Sequence, residues 1–341
     1  MNVGVVGATG IVGRELLKLL ERRRFPVTAL RLFSSGRRRV RLRFRGRSLP
    51  APRVDRKALL ASDLVFLVSD DAVARRWAPA ARAAGIWTID ESAAFRMRRG
   101  VPLVIPEING EAISPKTRLI ASPNCTVTGL AVAAHALHRA GGARSVRLAS
   151  YQAVSGAGRD ALLEFSQQVR NAGRRLPPGE ALPRLPRQRS GVFPQPISFN
   201  ILPQVGSFDA GGESGEETKV RDELRKLWRA PGLRVAATAV RVPVFRGHSL
   251  AVLIETRRHL TPGAAKRLLR RAPGVRLWEG EKYPTVHAVA GSALVHVGRV
   301  RASGAAPNEL AMWIVSDNLL KGAALNTVQI AEYLLKKGWL A

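Results

Sequence analysis

One cysteine stands in the 341 residues of the chain, Cys125. A lone thiol excludes an internal disulfide framework and implies a reducing compartment, so a cytoplasmic location is expected. No apolar run approaches the length that spans a bilayer, so a soluble protein without a membrane partner is expected. Met1-Asn2-Val3-Gly4-Val5-Val6 has no basic leader and runs straight into glycines, unlike a secretory signal. Acidic residues are scarce, 25 against 55 Lys and Arg, which leaves a net charge of +30. That imbalance admits a nucleic-acid or membrane-surface protein. The arginines are scattered among regular elements, however, with no long basic tail and no aromatic-rich RNA-binding strand. No specific nucleic-acid partner is therefore expected, although non-specific binding at low salt is. Internal repeats and carboxylate–histidine clusters of metal-ligand spacing are also lacking, so no metal is expected.

What is present begins with Ser122-Pro123-Asn124-Cys125-Thr126. Residues 118–121 form a short apolar strand, and residues 126–138 carry Leu130, Ala134 and Leu137 on one helical face. Pro123 stops the strand and Asn124 suits an N-cap. Cys125 then sits at a helix N-terminus, where the dipole and free N–H groups stabilise a thiolate. A free thiol is only a few per cent ionised at neutral pH, so that help matters for a nucleophile. A buried, inert cysteine is the alternative at this point.

Upstream, residues 3–6 form an apolar strand, followed by Gly7-Ala8-Thr9-Gly10-Ile11-Val12-Gly13 and a helix with Leu16, Leu19 and Leu20 on one face. Strand, glycine turn and helix is the setting in which a backbone approaches a pyrophosphate, although the spacing is G-x-x-G-x-x-G. A glycine-rich turn without ligand is the alternative. The second strand, residues 27–33, should end near an adenosine ribose. There an NAD site usually has an acidic residue, but this chain has Ser34-Ser35-Gly36-Arg37-Arg38-Arg39, which favours NADP. Residues 40–44 alternate as a strand with one wet face, and Arg39 belongs to the solvated turn. Apolar residues 64–68, a helix at 72–84 and a strand at 85–90 continue the buried parallel pattern. Residues 101–107 are too proline-rich for a central strand and read as an edge or extended connection.

After the Cys125 helix the character changes. A strand at 146–154 leads through Gln152 into Ser155-Gly156-Ala157-Gly158, then a helix at 159–169. Residues 176–196 hold six prolines and no periodicity, which indicates a loop or subunit-contact arm. A helix opens at Glu216-Glu217-Thr218-Lys219. Residues 235–244 and 250–256 read as paired antiparallel strands, with Arg241 on the first and Gly247-His248 at their junction. A basic helix at 262–271, strands at 294–300 and 310–315, and a helix at 322–337 complete the chain. The expected fold is α/β: a Rossmann-like dinucleotide-binding domain at 1–123 and an α+β catalytic and dimerisation domain at 124–317. The second domain should carry a mixed or antiparallel sheet, and a C-terminal helix at 318–341 should fold back on the first.

Together these stretches resemble the aspartate-β-semialdehyde dehydrogenase family, from Gly7 to about Glu332. The likeness rests on the glycine turn, Ala94-Phe95-Arg96-Met97, Val101-Pro102-Leu103-Val104-Ile105-Pro106-Glu107-Ile108-Asn109 and the cysteine motif. It continues in Tyr151-Gln152-Ala153-Val154-Ser155-Gly156-Ala157-Gly158, Arg241-Val242-Pro243-Val244-Phe245-Arg246-Gly247-His248-Ser249 and Asp317-Asn318-Leu319. The glycine turn is generic, whereas the cysteine, glutamine and histidine motifs in that order are specific.

The resemblance implies Cys125 as nucleophile, His248 as acid/base titrating near neutrality, and Gln152 orienting the substrate. It implies Arg241 on the substrate α-carboxylate, Arg96 and Lys219 on phosphate, and Glu216 and Asn124 beside the substrate. Gly7, Thr9, Gly10, Ile11, Val12, Ser35, Arg37, Ser155, Gly156 and Asn318 would line NADP. Two departures stand out: Glu91 replaces the more usual Asn, and the 34–39 turn lacks the usual Ser-Ala-Gly-Lys run. The implied reaction is reductive dephosphorylation of L-aspartyl-4-phosphate to L-aspartate-4-semialdehyde through a cysteine thioester. It belongs to lysine, threonine, methionine and diaminopimelate biosynthesis, in a homodimer or homotetramer. His135 and His138 read as core and surface residues. Two rivals are N-acetyl-glutamyl-phosphate reductase, which usually has Gly-Cys-Tyr at the cysteine, and a catalytically silent binding homologue.

Overall fold

The computed structural model describes residues 1–37, 39–173 and 188–340. Thirteen strands occur among them: β1 Asn2–Val6, β2 Ala29–Phe33, β3 Arg41–Phe44, β4 Arg47–Pro50, β5 Leu64–Leu67, β6 Trp87–Asp90, β7 Leu119–Ala121, β8 Ala143–Gln152, β9 Arg234–Arg241, β10 His248–Thr256, β11 Val275–Leu277, β12 Val295–Ala302 and β13 Glu309–Ser316. The first sheet is parallel, in the order β2-β1-β5-β6-β7. Its strands are buried on both faces because successive residues serve different cores. Val3, Val5, Leu64, Phe66 and Ile89 pack with the helices Ile11–Arg22 and Leu325–Lys336. Val65 and Leu67 pack instead with Ala74, Ala78 and Ala81 of the helix Asp71–Ala83. The helix Leu325–Lys336 thus packs on the first sheet. Residues 101–107 form no central strand: Leu103 makes one isolated bridge to Ala121, and a short helix Pro106–Asn109 follows.

The second sheet is mixed, in the order β11-β12-β13-β10-β8-β9. One face packs on the helices Cys125–Gly141, Gly215–Leu227 and Pro262–Arg271 through residues such as Leu148, Val252, Leu224 and Leu269. On the opposite face Tyr151 and Trp313 are half-buried, their rings 5.6 Å apart. The expected pairing of the two strands flanking His248 is corrected here. β9 pairs with β8 in parallel, and β10 pairs with β8 and β13 antiparallel, so β8 lies between β9 and β10. Residues 242–247 are not a hairpin turn but a crossing over the end of β8. The Val154 and Ser155 N–H groups donate to the Val244 and Phe245 carbonyls at 2.9 and 3.2 Å. That crossing decides the site, because it gathers the ends of three strands. The Pro/Arg-rich stretch 176–196 lies outside the described residues up to 187, as does Arg38.

Candidate active site

Asn124 caps the helix Cys125–Gly141, its Oδ1 accepting from Thr126 and Val127 N–H at 2.8 and 3.3 Å. Cys125 is thus the first helical residue. Opposite it, the start of β10 brings His248 Nε2 to 3.3 Å from Cys125 Sγ. The His248 Nδ1 accepts the backbone N–H of Ala153 at 3.0 Å. Gln152 closes β8 directly beside Arg241, which closes β9. Asn124, Cys125, Gln152 and Arg241 line one cavity of about 390 Å³, together with Asp71, Glu91, Asn318 and Gly322, and His248 is buried just behind its wall. Gly156 keeps it open, since a Cβ there would stand 2.9 Å from Arg241 Nη1 and 3.4 Å from the His248 ring.

Glu216 is the electrostatic hub. Its Oε1 accepts from Asn124 Nδ2, Gln152 Nε2 and Thr126 Oγ1 at 3.0, 3.1 and 3.2 Å. Its Oε2 faces half-exposed Lys219 at 3.7 Å. Arg241 donates from Nη1 to the Ala153 carbonyl at 2.7 Å, and its buried Nε has no partner among the described residues. Buried donors are nearly always satisfied, so this orphaned guanidinium N–H is an unusual feature of the cavity wall.

Three expectations change in the folded environment. The helix start does not lower the Cys125 thiol: burial, then the Glu216 carboxylate, pushes it up to about 12 against the pull of Arg96 and Arg241. Charge is costly away from water, and a neighbouring anion adds to that cost. His248 does not titrate near neutrality, because burial and then the Arg241 cation push it down to about 3. Arg96, expected to grip phosphate, is already engaged. Its three nitrogens donate to the Ser122 carbonyl at 2.9 Å, Glu223 Oε1 at 3.0 Å and the Glu91 carbonyl at 2.6 Å.

The nucleotide turn reaches the cavity only through Val12. Gly7 has φ +88°, and a Cβ on it would lie 2.3 Å from the Val68 carbonyl oxygen. Gly10 is the N-cap of the following helix and no side chain caps it, so the first N–H groups stay available. Thr9 and Ile11 are half-exposed in the same turn. These features fit a dinucleotide pyrophosphate. Asn318 and Ser155 hydrogen-bond to one another, Asn318 Nδ2 donating at 2.9 Å, and both line the cavity. Ser35 and Arg37 stand apart, exposed at the end of β2. His135 and His138 do not line the cavity; both are half-buried, His138 stacked on Trp228.

Glu223 escaped the sequence reading. It accepts the Asn124 backbone N–H at 2.7 Å and pairs with Arg96, so it fixes the nucleophile turn. Its spacing of seven from Glu216, two helical turns on the same face, was the available signal. Ala153 also went unnoticed, because it acts through its backbone.

A strand–glycine-turn–helix domain joined to a mixed-sheet domain that carries a paired cysteine and histidine is the layout of a two-domain dehydrogenase. Residues 2–115 match the model of the semialdehyde dehydrogenase NAD binding domain, and residues 135–321 match that of the semialdehyde dehydrogenase dimerisation domain. The chain is 40% identical to the aspartate-semialdehyde dehydrogenase of Synechocystis sp. over 345 residues, covering 100% of this chain and 99% of that protein. The crystal structure of aspartate semialdehyde dehydrogenase II from Vibrio cholerae superposes with a TM-score of 0.92 at 35% identity, covering 98% of both chains. A second structure of that enzyme, complexed with ASA, gives a TM-score of 0.91 with the same identity and coverage. The chain belongs to the aspartate-semialdehyde dehydrogenase family.

Proposed function

We propose that the chain catalyses the NADPH-dependent reductive dephosphorylation of L-aspartyl-4-phosphate to L-aspartate-4-semialdehyde. The observation that carries this reading is Cys125 Sγ facing His248 Nε2 at the wall of a cavity that Gln152, Glu216 and Arg241 also line. Arg241 offers its free edge to the substrate α-carboxylate, a planar match that lysine cannot make. Glu216 takes the α-ammonium, and Gln152 and Asn124, bound to Glu216, orient the acyl group. Lys219, half-exposed at the cavity edge, meets the phosphate, with Arg96 contributing charge from the wall.

Cys125 Sγ bonds to the acyl carbon and the bond to phosphate oxygen breaks, the thiol proton leaving with the phosphate. A thioester remains, and it is easier to reduce than a carboxylate. NADPH supplies the hydride that reduces it. His248 Nε2–H, directed at Cys125 Sγ, would donate to the oxygen that gains negative charge, and breaking the C–S bond releases the aldehyde and a thiolate, which takes up one proton from solvent to restore the thiol. The ammonium of the substrate quenches the Glu216 charge, the second cause that holds the proton on Cys125.

NADP is the cofactor: the glycine turn at 7–13 would hold its pyrophosphate, and Ser35 and Arg37 would meet its 2′-phosphate. Ser155, Gly156 and Asn318, which line the cavity, would border its nicotinamide side. Residues 1–123 form the cofactor domain, residues 124–317 the catalytic and dimerisation domain, and 318–341 return to the first. A second copy of the chain covers the half-buried sheet face around Tyr151 and Trp313, consistent with a homodimer or a tetramer built from it. Among the described residues no helix is long and apolar enough to cross a membrane. The deciding experiment is phosphate-dependent NADP reduction with aspartate semialdehyde, run beside N-acetylglutamate semialdehyde. Activity confined to the second substrate would overturn the substrate assignment.

A further inference from the structure

Lys321 takes no part in the chemistry above, yet it is fully buried. Its Nζ donates to both Glu107 carboxylate oxygens at 2.8 Å, to Gln329 Oε1 at 2.6 Å and to Asn326 Oδ1 at 3.3 Å. Glu107 lies on the short helix Pro106–Asn109, whereas Asn326 and Gln329 lie on the returning helix Leu325–Lys336. Burial holds the lysine below its usual pKa while Glu107 opposes that shift. Buried ion pairs are often no more stabilising than well-packed apolar residues of the same volume, so stability is a weak reason to bury an ammonium here. Geometry is a better one.

Lys321 sits in a wide turn, Leu320–Ala324, with hydrogen bonds spanning five residues. The Gly322 N–H donates to the Asp317 carbonyl at 3.1 Å and the Ala324 N–H to the Leu319 carbonyl at 3.2 Å. Such turns are rare and frequently stand at functional sites. Gly322 backs directly onto the nucleophile: a Cβ on it would lie 2.9 Å from Cys125 Cβ. An ordinary α-helical turn has a different rise and rotation per residue, and would move Gly322 off that position. The same ammonium orients Asn326, whose Nδ2 donates to Ser122 Oγ and to the Val104 carbonyl, both at 3.0 Å. Ser122 begins the turn that ends in Cys125. One buried cation therefore stands behind both supports of the thiol.

We propose that Lys321 is a positioning residue for the nucleophile: its ion pair with Glu107 locks the wide turn, so that Gly322 backs Cys125 and Asn326 holds Ser122. The inference rests on Cys125 being the nucleophile of the proposed reaction. The test compares Lys321→Met with the double variant Lys321→Met/Glu107→Leu, which replaces the ion pair by an apolar one. Three quantities are measured on the full chain: melting temperature, the rate of iodoacetamide alkylation of the sole cysteine, and kcat and KM with aspartate semialdehyde. The single variant should melt lower. The double variant should regain most of the melting temperature, yet keep a kcat about 10- to 100-fold below wild type with KM little changed. Its alkylation rate should differ from wild type by about tenfold, since a displaced sulfur meets a different field. Wild-type alkylation and kcat in a stable double variant would reduce the pair to a structural one and overturn the proposal. Should the double variant not fold, Gly322→Ala tests the same contact and should show the same split of kcat from KM; wild-type behaviour there also overturns it. A wild-type chain that is alkylated at Cys125 but inactive on aspartate semialdehyde would sink the reaction, not the positioning.

Discussion

The backbone N–H of Ala153 donates to Nδ1 of His248 at 3.0 Å, and this bond decides which ring nitrogen meets the thiol of Cys125. A backbone N–H can only donate, so Nδ1 is the acceptor and the neutral ring carries its proton on Nε2. His248 therefore presents a donor to sulfur in the resting site, and to the oxygen that becomes negative when the thioester is reduced. Protonating Nδ1 would set two N–H groups against each other, in keeping with an imidazole pushed down to about 3 by burial and Arg241.

From this pair follows a separation of roles. His248→Asn should lower kcat by about 10²–10⁴-fold with a smaller change in KM. Arg241→Lys keeps the charge but loses the fork, at a cost of about 1.5–3 kcal/mol that appears mainly in the KM for aspartate semialdehyde. Steady-state kinetics on both variants checks the split. A reversed pattern would exchange the two roles, and two variants indistinguishable from wild type would remove both residues from the site.

The thiol titration is a second measurable consequence. With the proton on Cys125 held up to about 12, the alkylation rate should climb from pH 7 to 10 without a plateau. Glu216→Gln removes the second cause of that shift and should speed alkylation at any fixed pH in this range. Cys125→Ser is the control: it should abolish both labelling and turnover while leaving NADP affinity nearly unchanged. A plateau near pH 8.5 in the wild type would mean that burial does not govern this thiol.

Cofactor choice is expected to follow the exposed turn after β2. Hydroxyl and guanidinium groups at Ser35 and Arg37 replace the acid that would accept from a free ribose 2′-hydroxyl. NADP should have the higher specificity constant, and Arg37→Asp should shift the ratio towards NAD. Binding titrations by nicotinamide fluorescence measure the same preference without turnover. Equal use of both cofactors by the wild type would contradict the expectation.

Glu223 should be costly to remove. It compensates the buried Arg96 guanidinium at 3.0 Å and accepts the Asn124 N–H. Glu223→Ala leaves that cation unpaired and should cost about 3–5 kcal/mol in denaturant unfolding. A loss below about 1 kcal/mol would show that Arg96 finds another anion.

Glu91 links stability to pH. Burial raises its carboxyl to about 7, and that of neighbouring Asp90 to about 6, whereas unfolded Glu and Asp titrate near 4. Between about pH 4 and 7 the folded chain holds protons that the unfolded chain has released. Stability therefore falls as pH rises through that window. Melting should occur at a higher temperature at pH 5.5 than at pH 8, and Glu91→Gln should shrink the difference. An unchanged difference in the variant would exclude Glu91 as the titrating group.

The sequence by itself determined what neighbours in the chain decide. The glycine turn at 7–13, the Asn124 cap with Cys125 on the first helical position, and the alternation that buries β1 and β5 on both faces all depend on residues a few positions apart. Their periodicity, capping chemistry and lack of side chains at tight approaches specify the local form. Tertiary structure decided what depends on distant partners. β8 separates β9 from β10, so that Gln152, Arg241 and His248 converge across strand ends instead of along a hairpin. Cys125 and His248 both stay neutral, because desolvation and the nearby charges of Glu216 and Arg241 come from other segments. Arg96 is absorbed by Glu223, 127 positions away, and Lys321 by Glu107, 214 positions away. Propensity acts along the chain, but the dielectric around a charge and the partner it finds are set only when remote segments close over it.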